Sequence, residues 1–217
     1  MSPALFVFTL LVFLFSVVVH EISHGYVAER LGDPTARLAG RLTLNPVKHL
    51  DPFGSVILPL LLSIPALFGQ PAIIFGWAKP VPYNPYNLKN PKTGAGVIAA
   101  SGPLSNFLLA GVFGILLRVL PPEYAPLGVM FALIIYVNVL LGVFNLVPIP
   151  PLDGSKILKA ILPFALARAF SQLEALFAQY GLVAVLGFVL LFAYFLWPFF
   201  SALIQLLFTL ITGMPIV

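Results

Sequence analysis

The residues with the clearest chemistry stand in the run His20-Glu21-Ile22-Ser23-His24. On a helix, two histidines four positions apart lie one turn apart on the same face, where both imidazoles can bind a single tetrahedral Zn²⁺. The intervening carboxylate, Glu21, points about 100° away from His20 around the helix axis. It can therefore reach a metal-bound water rather than the metal itself. The spacing predicts a zinc site that activates water.

The composition shows what kind of protein must position these residues. The chain has 217 residues, of which 60% are hydrophobic and 8% charged, whereas soluble domains average about 45–50% and about 25%. This excludes a water-soluble globule. The net charge of +4, from 11 basic and 7 acidic residues, is too thinly spread to form a nucleic-acid-binding face, so no nucleic-acid partner is predicted. The absence of cysteine excludes disulfides, thiolate metal ligands and cysteine catalysis.

Four apolar stretches are long enough to cross a bilayer. The first begins near residue 3 and is predicted to continue as a helix through His20 and His24 towards Arg30, which places these histidines at membrane depth. The other three are residues 94–120, 127–147 and 181–211. We therefore predict an all-α polytopic membrane protein with about four full transmembrane helices, in which residues 1–217 form a single integral-membrane domain. An alternative, in which the histidines are merely polar core residues, is disfavoured because unpartnered polar groups are costly in lipid.

Two polar or broken segments separate the first two spans. Residues 33–48 alternate apolar and polar positions, which predicts a short cytoplasmic β-hairpin or strand region. Residues 52–76 are apolar but contain prolines and glycines, which predicts a re-entrant or kinked helical hairpin. If this segment crosses fully, the 11 basic residues divide five against six. If it returns, ten lie on one side and only Arg118 on the other, and the positive-inside rule makes the ten-charge side cytoplasmic and both termini external. We favour the returning hairpin, and the kinked full crossing stays open.

Two histidines leave a catalytic zinc site one protein ligand short. The candidates are Asp153, in the proline-rich run "FNLVPIPPLDG", and His49 and Asp51, in "NPVKHLDP". We favour Asp153, because irregular backbone at membrane depth is tolerated mainly where it lines a buried or watery site. The returning-hairpin topology also places Asp153 on the same side as His24. Asp51 is predicted instead to cap a helix that begins near Pro52.

Three motifs together resemble the site-2 protease family of intramembrane zinc metalloproteases, peptidase family M50. They are "HEISH", "ASGPLSN" and "NLVPIPPLDG", and they run from His20 to Gly154. The runs "GWAKPVPYNP" and "NPVKHLDPFGS" further resemble the compact prokaryotic branch without PDZ or CBS domains. The resemblance implies cleavage of transmembrane protein substrates in a prokaryotic cell membrane, at an active site near the cytoplasmic side. It also implies one Zn²⁺ per chain, held by His20, His24 and Asp153, with Glu21 as general base.

Two further side chains are candidates for contacts with substrate. Asn106 and Asn145 are placed by sequence to stabilise the oxyanion or to hold substrate backbone, and hydrogen bonding between helices is the alternative for each. The region from Ala36 to Leu44 is predicted to hold an unwound substrate by strand addition. No oligomeric state is predicted.

Two other classes of function are alternatives to the protease. One is a transporter or ion-translocating protein that uses the two histidines, Glu21 and Asp153 as a relay. The other is a catalytically inactive membrane chaperone, which is disfavoured because all four reactive residues are present.

Overall fold

The computed structural model describes residues 3–57 and 78–215 and, within these ranges, it is helical with no strand. The α-helices, in chain order, are α1 (Pro3–Arg30), α2 (Thr35–Leu38), α3 (Pro91–Arg118), α4 (Ala125–Asn145), α5 (Asp153–Ile161), α6 (Phe164–Leu191) and α7 (Trp197–Thr212). Short 3₁₀ or π-helical turns lie at Pro46–His49, Pro52–Ile57, Pro85–Asn87, Pro122–Tyr124 and Phe192–Leu196. The prediction of an all-α protein is therefore confirmed.

Four of the described helical stretches are long and apolar enough to cross a membrane. They are residues 4–30, 91–118, 122–145 and 186–212, with lengths of 24 to 28 residues. At 1.5 Å per residue such helices reach about 36–42 Å, more than the hydrocarbon thickness of about 30 Å. These four candidate spans agree with the prediction of a polytopic membrane protein.

Helix α3 lies at the centre of the bundle and packs against α1, α4, α5 and α7. The buried core that it shares with α4 and α7 contains Ala110, Ile135, Val139, Ile204 and Phe208. Small residues allow the close approach of helices that membrane packing requires. A Cβ on Gly114, for example, would lie 2.3 Å from the side chain of Ile211 on α7. The bundle thereby holds α3 firmly beside the histidine-bearing helix.

Contacts at the two ends of the bundle show how its helices run relative to one another. At one end, the Arg118 guanidinium donates hydrogen bonds to the carbonyl oxygens of Leu210 and Ile211. At the other end, Ala28 at the close of α1 packs against Leu88 and Ile98 near the start of α3. Helices α1 and α3 are therefore antiparallel, and the second half of α1, which carries the histidines, lies beside the first half of α3.

The structure differs from the β-hairpin that the alternating pattern predicts over residues 33–48. Residues 35–38 form the single helical turn α2, and the segment that follows is irregular with no strand. The reason is local, because the carboxylate of Asp33 accepts a hydrogen bond from the backbone N–H of Thr35 at 3.1 Å and turns the chain. Gly40, at φ +62°, then ends the turn. The weak alternation of apolar residues is thus replaced by a local turn that the Asp33 side chain bonds.

The predicted helical hairpin over residues 52–76 lies mostly outside the described residues. Its first turn is described, and there the carboxylate of Asp51 accepts a hydrogen bond from the N–H of Gly54 at 2.6 Å, as predicted for a cap. Where the described chain resumes, the N–H of Lys79 donates to the carbonyl of His49 at 2.8 Å. The guanidinium of Arg41 donates to the carbonyl of Lys79 at 2.7 Å. The chain therefore leaves and rejoins the described structure at neighbouring points.

Asp33 connects the end of α1 to the segment that precedes α3. Its buried carboxylate accepts hydrogen bonds from the N–H of Asn84 at 2.6 Å and the amide of Asn87 at 2.7 Å. Burial alone would raise the pKa of Asp33, but the hydrogen bonds from Thr35, Asn87 and the Asn84 backbone outweigh it and lower that pKa.

We expect the Asp33→Ala variant to lower the free energy of unfolding by about 1–3 kcal/mol, because it leaves these donors without an acceptor. The measurement is thermal or denaturant unfolding of the full chain in detergent. Glu123→Ala is the control, since Glu123 is an exposed acid at the far end of the bundle. Equal stability of the two variants would contradict the prediction.

Candidate metal centre

Three predicted metal ligands come together at one point. His20 and His24 lie on α1, and Asp153 is the first residue of α5. The Nε2 atoms of His20 and His24 lie 3.0 and 3.1 Å from the same oxygen, Oδ2 of Asp153. A tetrahedral zinc ion with bonds of about 2.0–2.1 Å separates its ligand atoms by about 3.3 Å. The two separations to Asp153 are within a few tenths of an ångström of this value, and ligand atoms of all three residues lie within 4.8 Å of one another.

Each imidazole is oriented by a hydrogen bond at its other nitrogen. The Nδ1 atom of His20 lies 2.7 Å from Oδ1 of Asn106, and Nδ1 of His24 lies 2.7 Å from the carbonyl oxygen of Ile98. Because both partners are oxygen acceptors, each Nδ1 carries a hydrogen, and in the neutral imidazole that binds a metal the lone pair is then on Nε2. The two lone pairs face Asp153, which is the arrangement that a metal ion requires.

Helix α3 passes directly beneath the two imidazoles at Gly102. A Cβ on this residue would lie 2.5 Å from Nε2 of His20 and 2.5 Å from Cε1 of His24. The hydroxyl of the preceding Ser101 lies 3.3 Å from Nδ1 of His24 and donates to the carbonyl of Ile98 at 2.6 Å. Glycine at position 102 therefore lets α3 form one wall of the metal site.

The proline-rich break after α4 brings Asp153 to the histidines. Helix α4 ends at Asn145, and α5 begins at Asp153 after an irregular segment. A Cβ on Gly154 would lie 2.2 Å from the carbonyl oxygen of Leu146, so glycine allows α5 to fold back closely. Lys156, one turn further on, places its ammonium 3.7 Å from Oδ1 of Asp153. Irregular backbone at this depth thus lines the site, as expected for broken membrane helices.

Glu21 lies beside the cluster but is not one of its members. The described residues that can hold a metal together are His20, His24 and Asp153, and the Glu21 carboxylate turns towards a different element. Its Oε2 accepts a hydrogen bond from the backbone N–H of Val81 at 2.8 Å. Within the described residues, the other carboxylate oxygen, Oε1, has no hydrogen-bond partner.

The remaining predicted site residues have other surroundings. Asn106 is fully buried, and its amide nitrogen donates to Asn138 at 2.9 Å, so both ends of its carboxamide bond to protein. The amide of Asn145 donates to the carbonyl of Leu141, one turn back on its own helix. His49 is buried, and its Nε2 bonds the carbonyl of Thr43 at 2.9 Å. The structure brings neither His49 nor Asp51 into the three-residue cluster.

Sequence reasoning missed Asn138 and Val81. Asn138 was detectable in principle, because a polar residue inside an apolar span is rare and usually has a specific partner. Val81 contributes through its backbone N–H, and no property of its side chain signals that contact.

The amino-acid sequence is similar to those of known metalloproteases. The family model described as "Peptidase family M50" matches residues 123–191. The Bacillus subtilis protein named "Putative zinc metalloprotease YwhC" is 37% identical over 86% of this chain and 83% of its own length. The Mycolicibacterium smegmatis protein named "Putative zinc metalloprotease Rip2" is 29% identical over 83% of this chain and 65% of its own length. "Zinc metalloprotease MJ0392" of Methanocaldococcus jannaschii is 28% identical over 75% of this chain and 37% of its own length. No solved structure matches the chain significantly.

The chain therefore belongs to peptidase family M50, and it is a metalloprotease. This confirms the resemblance drawn from the three sequence motifs. The prediction of zinc as cofactor agrees with the names of the relatives and with the cluster of His20, His24 and Asp153.

We expect the Gly102→Ala variant to weaken zinc binding at least about tenfold, because the added methyl displaces both imidazoles and disturbances around metal ligands cost about 10–100-fold in affinity. The measurement is zinc retained per chain after dialysis against graded chelator concentrations. Gly111→Ala is a matched control on the same helix, since a Cβ there meets nothing within 4 Å. Identical zinc retention in both variants would contradict the prediction.

Proposed function

We propose that this metalloprotease is an intramembrane enzyme in which residues 1–217 form a single membrane domain that hydrolyses peptide bonds of membrane-spanning proteins. The observation that carries the proposal is the position of the cluster. His20 and His24 lie within a candidate membrane span, residues 4–30, and His20, His24 and Asp153 are only 6%, 9% and 6% exposed. A metal site buried inside an apolar helix bundle can act on a substrate that is itself in the membrane, which supports the proposal.

The chain supplies the acid–base chemistry around the zinc ion. His20, His24 and Asp153 would hold the zinc ion, which would supply polarisation of the attacking water and of the scissile carbonyl. Glu21 takes the proton from that water through its free oxygen and passes it to the leaving amine. The hydrogen bond from the Val81 N–H holds the other oxygen and fixes the orientation of the carboxylate.

Contacts around the cluster also separate the two asparagine candidates. Because both ends of the Asn106 carboxamide bond to protein, we favour the structural alternative for this residue. Asn145 is partly exposed, and only one of its two amide hydrogens is needed for the bond to Leu141. Asn145 is therefore the better candidate to bind substrate backbone or the oxyanion.

We propose that the end of the bundle nearest the metal cluster faces the cytoplasm and that both termini lie outside. The bond between Lys79 and His49 supports a return of segment 52–76 to the side from which it starts. In that topology, ten of the 11 basic residues lie at the end nearest the metal cluster, and Arg118 lies at the opposite end. The positive-inside rule then orients the protein in a prokaryotic cell membrane.

The substrate needs a surface that holds it extended, because the peptide bonds of a helix are hidden in its own hydrogen bonds. A groove of about 390 Å³ runs beside α1 and is lined by Ile22, Tyr26, Leu42, Thr43 and Leu44. The chain over 42–44 is irregular rather than helical. We propose that its backbone pairs with an unwound substrate by strand addition.

A transport function for the same residues gains no specific support. A proton relay requires imidazoles that exchange hydrogens at both nitrogens, whereas each Nδ1 here faces a fixed oxygen acceptor, on Asn106 or Ile98. This arrangement is typical of metal ligands.

We expect Glu21→Gln to retain about one zinc per chain and to lose cleavage by about 10²–10⁴-fold, the usual contribution of a general base. The assay is cleavage of a reporter transmembrane helix in proteoliposomes, with zinc measured on the same sample. Continued cleavage by this variant, or a parent protein without stoichiometric metal, would rule out the proposed mechanism.

We expect Leu42→Pro to impair cleavage while zinc content stays unchanged, because proline removes the backbone donor that strand pairing requires. Leu42→Val is the control, since it keeps the N–H and a similar apolar side chain. If the proline variant cleaves as well as the valine variant, strand addition at this segment is wrong.

A further inference from the structure

Asn138 lies in the apolar helix α4 and is fully buried. It contacts no metal ligand, but it is linked to one through a chain of hydrogen bonds. We propose that Asn138 is a positioning residue that fixes, through Asn106, which nitrogen of His20 faces the metal. The proposal rests on the proposed function of the zinc site and extends it to a residue outside that site.

The orientation of the Asn138 carboxamide is determined by its neighbours. Its amide nitrogen lies 2.9 Å from the carbonyl oxygen of Ile134 and 3.0 Å from the hydroxyl oxygen of Ser16. A backbone carbonyl can only accept, so the amide nitrogen and not the oxygen must face Ile134. The carboxamide oxygen is thereby directed to the opposite side, towards Asn106.

The orientation of the Asn138 carboxamide in turn fixes that of Asn106. The oxygen of Asn138 accepts from the amide nitrogen of Asn106 at 2.9 Å, and the same nitrogen lies 3.4 Å from the carbonyl of Ser16. With its nitrogen held in this way, Asn106 must present its oxygen to Nδ1 of His20, at 2.7 Å. A carbonyl oxygen facing Nδ1 requires a hydrogen there, which leaves the Nε2 lone pair for the metal.

The opposite orientation of Asn106 would disable the ligand. If the amide nitrogen of Asn106 faced Nδ1 of His20, Nδ1 would have to accept a hydrogen bond. The imidazole hydrogen would then reside on Nε2, where zinc binds. In water such a reversal costs little, because solvent replaces the lost bonds. Asn106 and Asn138 are both 0% exposed, so an unsatisfied group in either would pay its full desolvation penalty. The network therefore selects one orientation of the His20 ring.

The test compares zinc affinity in four forms of the full chain purified in detergent: the parent, Asn138→Ala, the double variant Asn106→Asp with Asn138→Ala, and Val139→Ala. We expect Asn138→Ala to bind zinc about tenfold more weakly, within the range for partners of metal ligands. The double variant should recover affinity, because either oxygen of a carboxylate accepts from His20 without needing to be oriented. Val139→Ala removes a buried apolar side chain from the same turn and should leave zinc affinity unchanged.

The readouts are chelator competition with Zn²⁺ and the visible spectrum of the Co²⁺ form, neither of which requires cleavage activity. Thermal unfolding of the metal-free forms controls for loss of folding. If the double variant does not fold, Asn138→Asp replaces it, since its carboxyl still accepts a hydrogen bond from Asn106. This variant should bind zinc more tightly than Asn138→Ala.

Two results overturn the proposal. One is parental zinc affinity in Asn138→Ala, and the other is failure of either rescue variant to bind zinc better than Asn138→Ala, which indicates a merely structural role. A parent protein that binds no zinc would overturn the proposed function as well, whereas a zinc-binding parent with an unaffected Asn138→Ala overturns this inference alone.

Discussion

The structure depends on the convergence of two imidazoles on one carboxylate oxygen inside an apolar helix bundle. In lipid, a polar group without a partner costs several kcal/mol, so each of His20, His24 and Asp153 requires a full set of contacts. The protein meets this requirement in two layers. The Nε2 atoms face Oδ2 of Asp153 at 3.0 and 3.1 Å, and the Nδ1 atoms face oxygen acceptors on α3. A zinc ion at the point of convergence would satisfy the inner layer.

This constraint explains several features of the bundle that carry no chemistry. Helix α3 must approach α1 closely enough for its carbonyl and carboxamide oxygens to reach the imidazoles, and Gly102 makes that approach possible. Helix α4 must stop so that a carboxylate can turn inwards, and the irregular segment before Asp153 provides the stop. Asn138 then completes the outer layer from α4. Asn106 on α3 and Asp153 on α5 thus bond His20 directly, and Asn138 on α4 is linked to it through Asn106.

The spans and the family were predictable from the sequence, because both rest on strong signals, and the predicted ligands His20, His24 and Asp153 lie together in the structure. Long apolar runs define the spans, and the spacing of His20 and His24 defines a shared helix face. The β-hairpin predicted over 33–48 is absent from the structure. The alternation of apolar and polar residues there is weak, and a hydrogen bond from Thr35 to Asp33 turns the chain instead. The hydrogen-bond partners of Asn106 and Glu21 could not be predicted from the sequence, for another reason. They depend on which face of α4 meets α3 and on where the chain returns after residue 77, and both are set by tertiary packing.

X-ray absorption at the zinc edge of the purified, zinc-loaded protein tests the central claim most directly. We expect a first shell of nitrogen and oxygen at about 2.0–2.1 Å, with the outer-shell scattering of two imidazoles. Replacement of His24 by alanine should remove one imidazole from that pattern. A first shell without imidazole scattering, or a pattern unchanged by that replacement, would contradict the assignment of the metal to His20, His24 and Asp153.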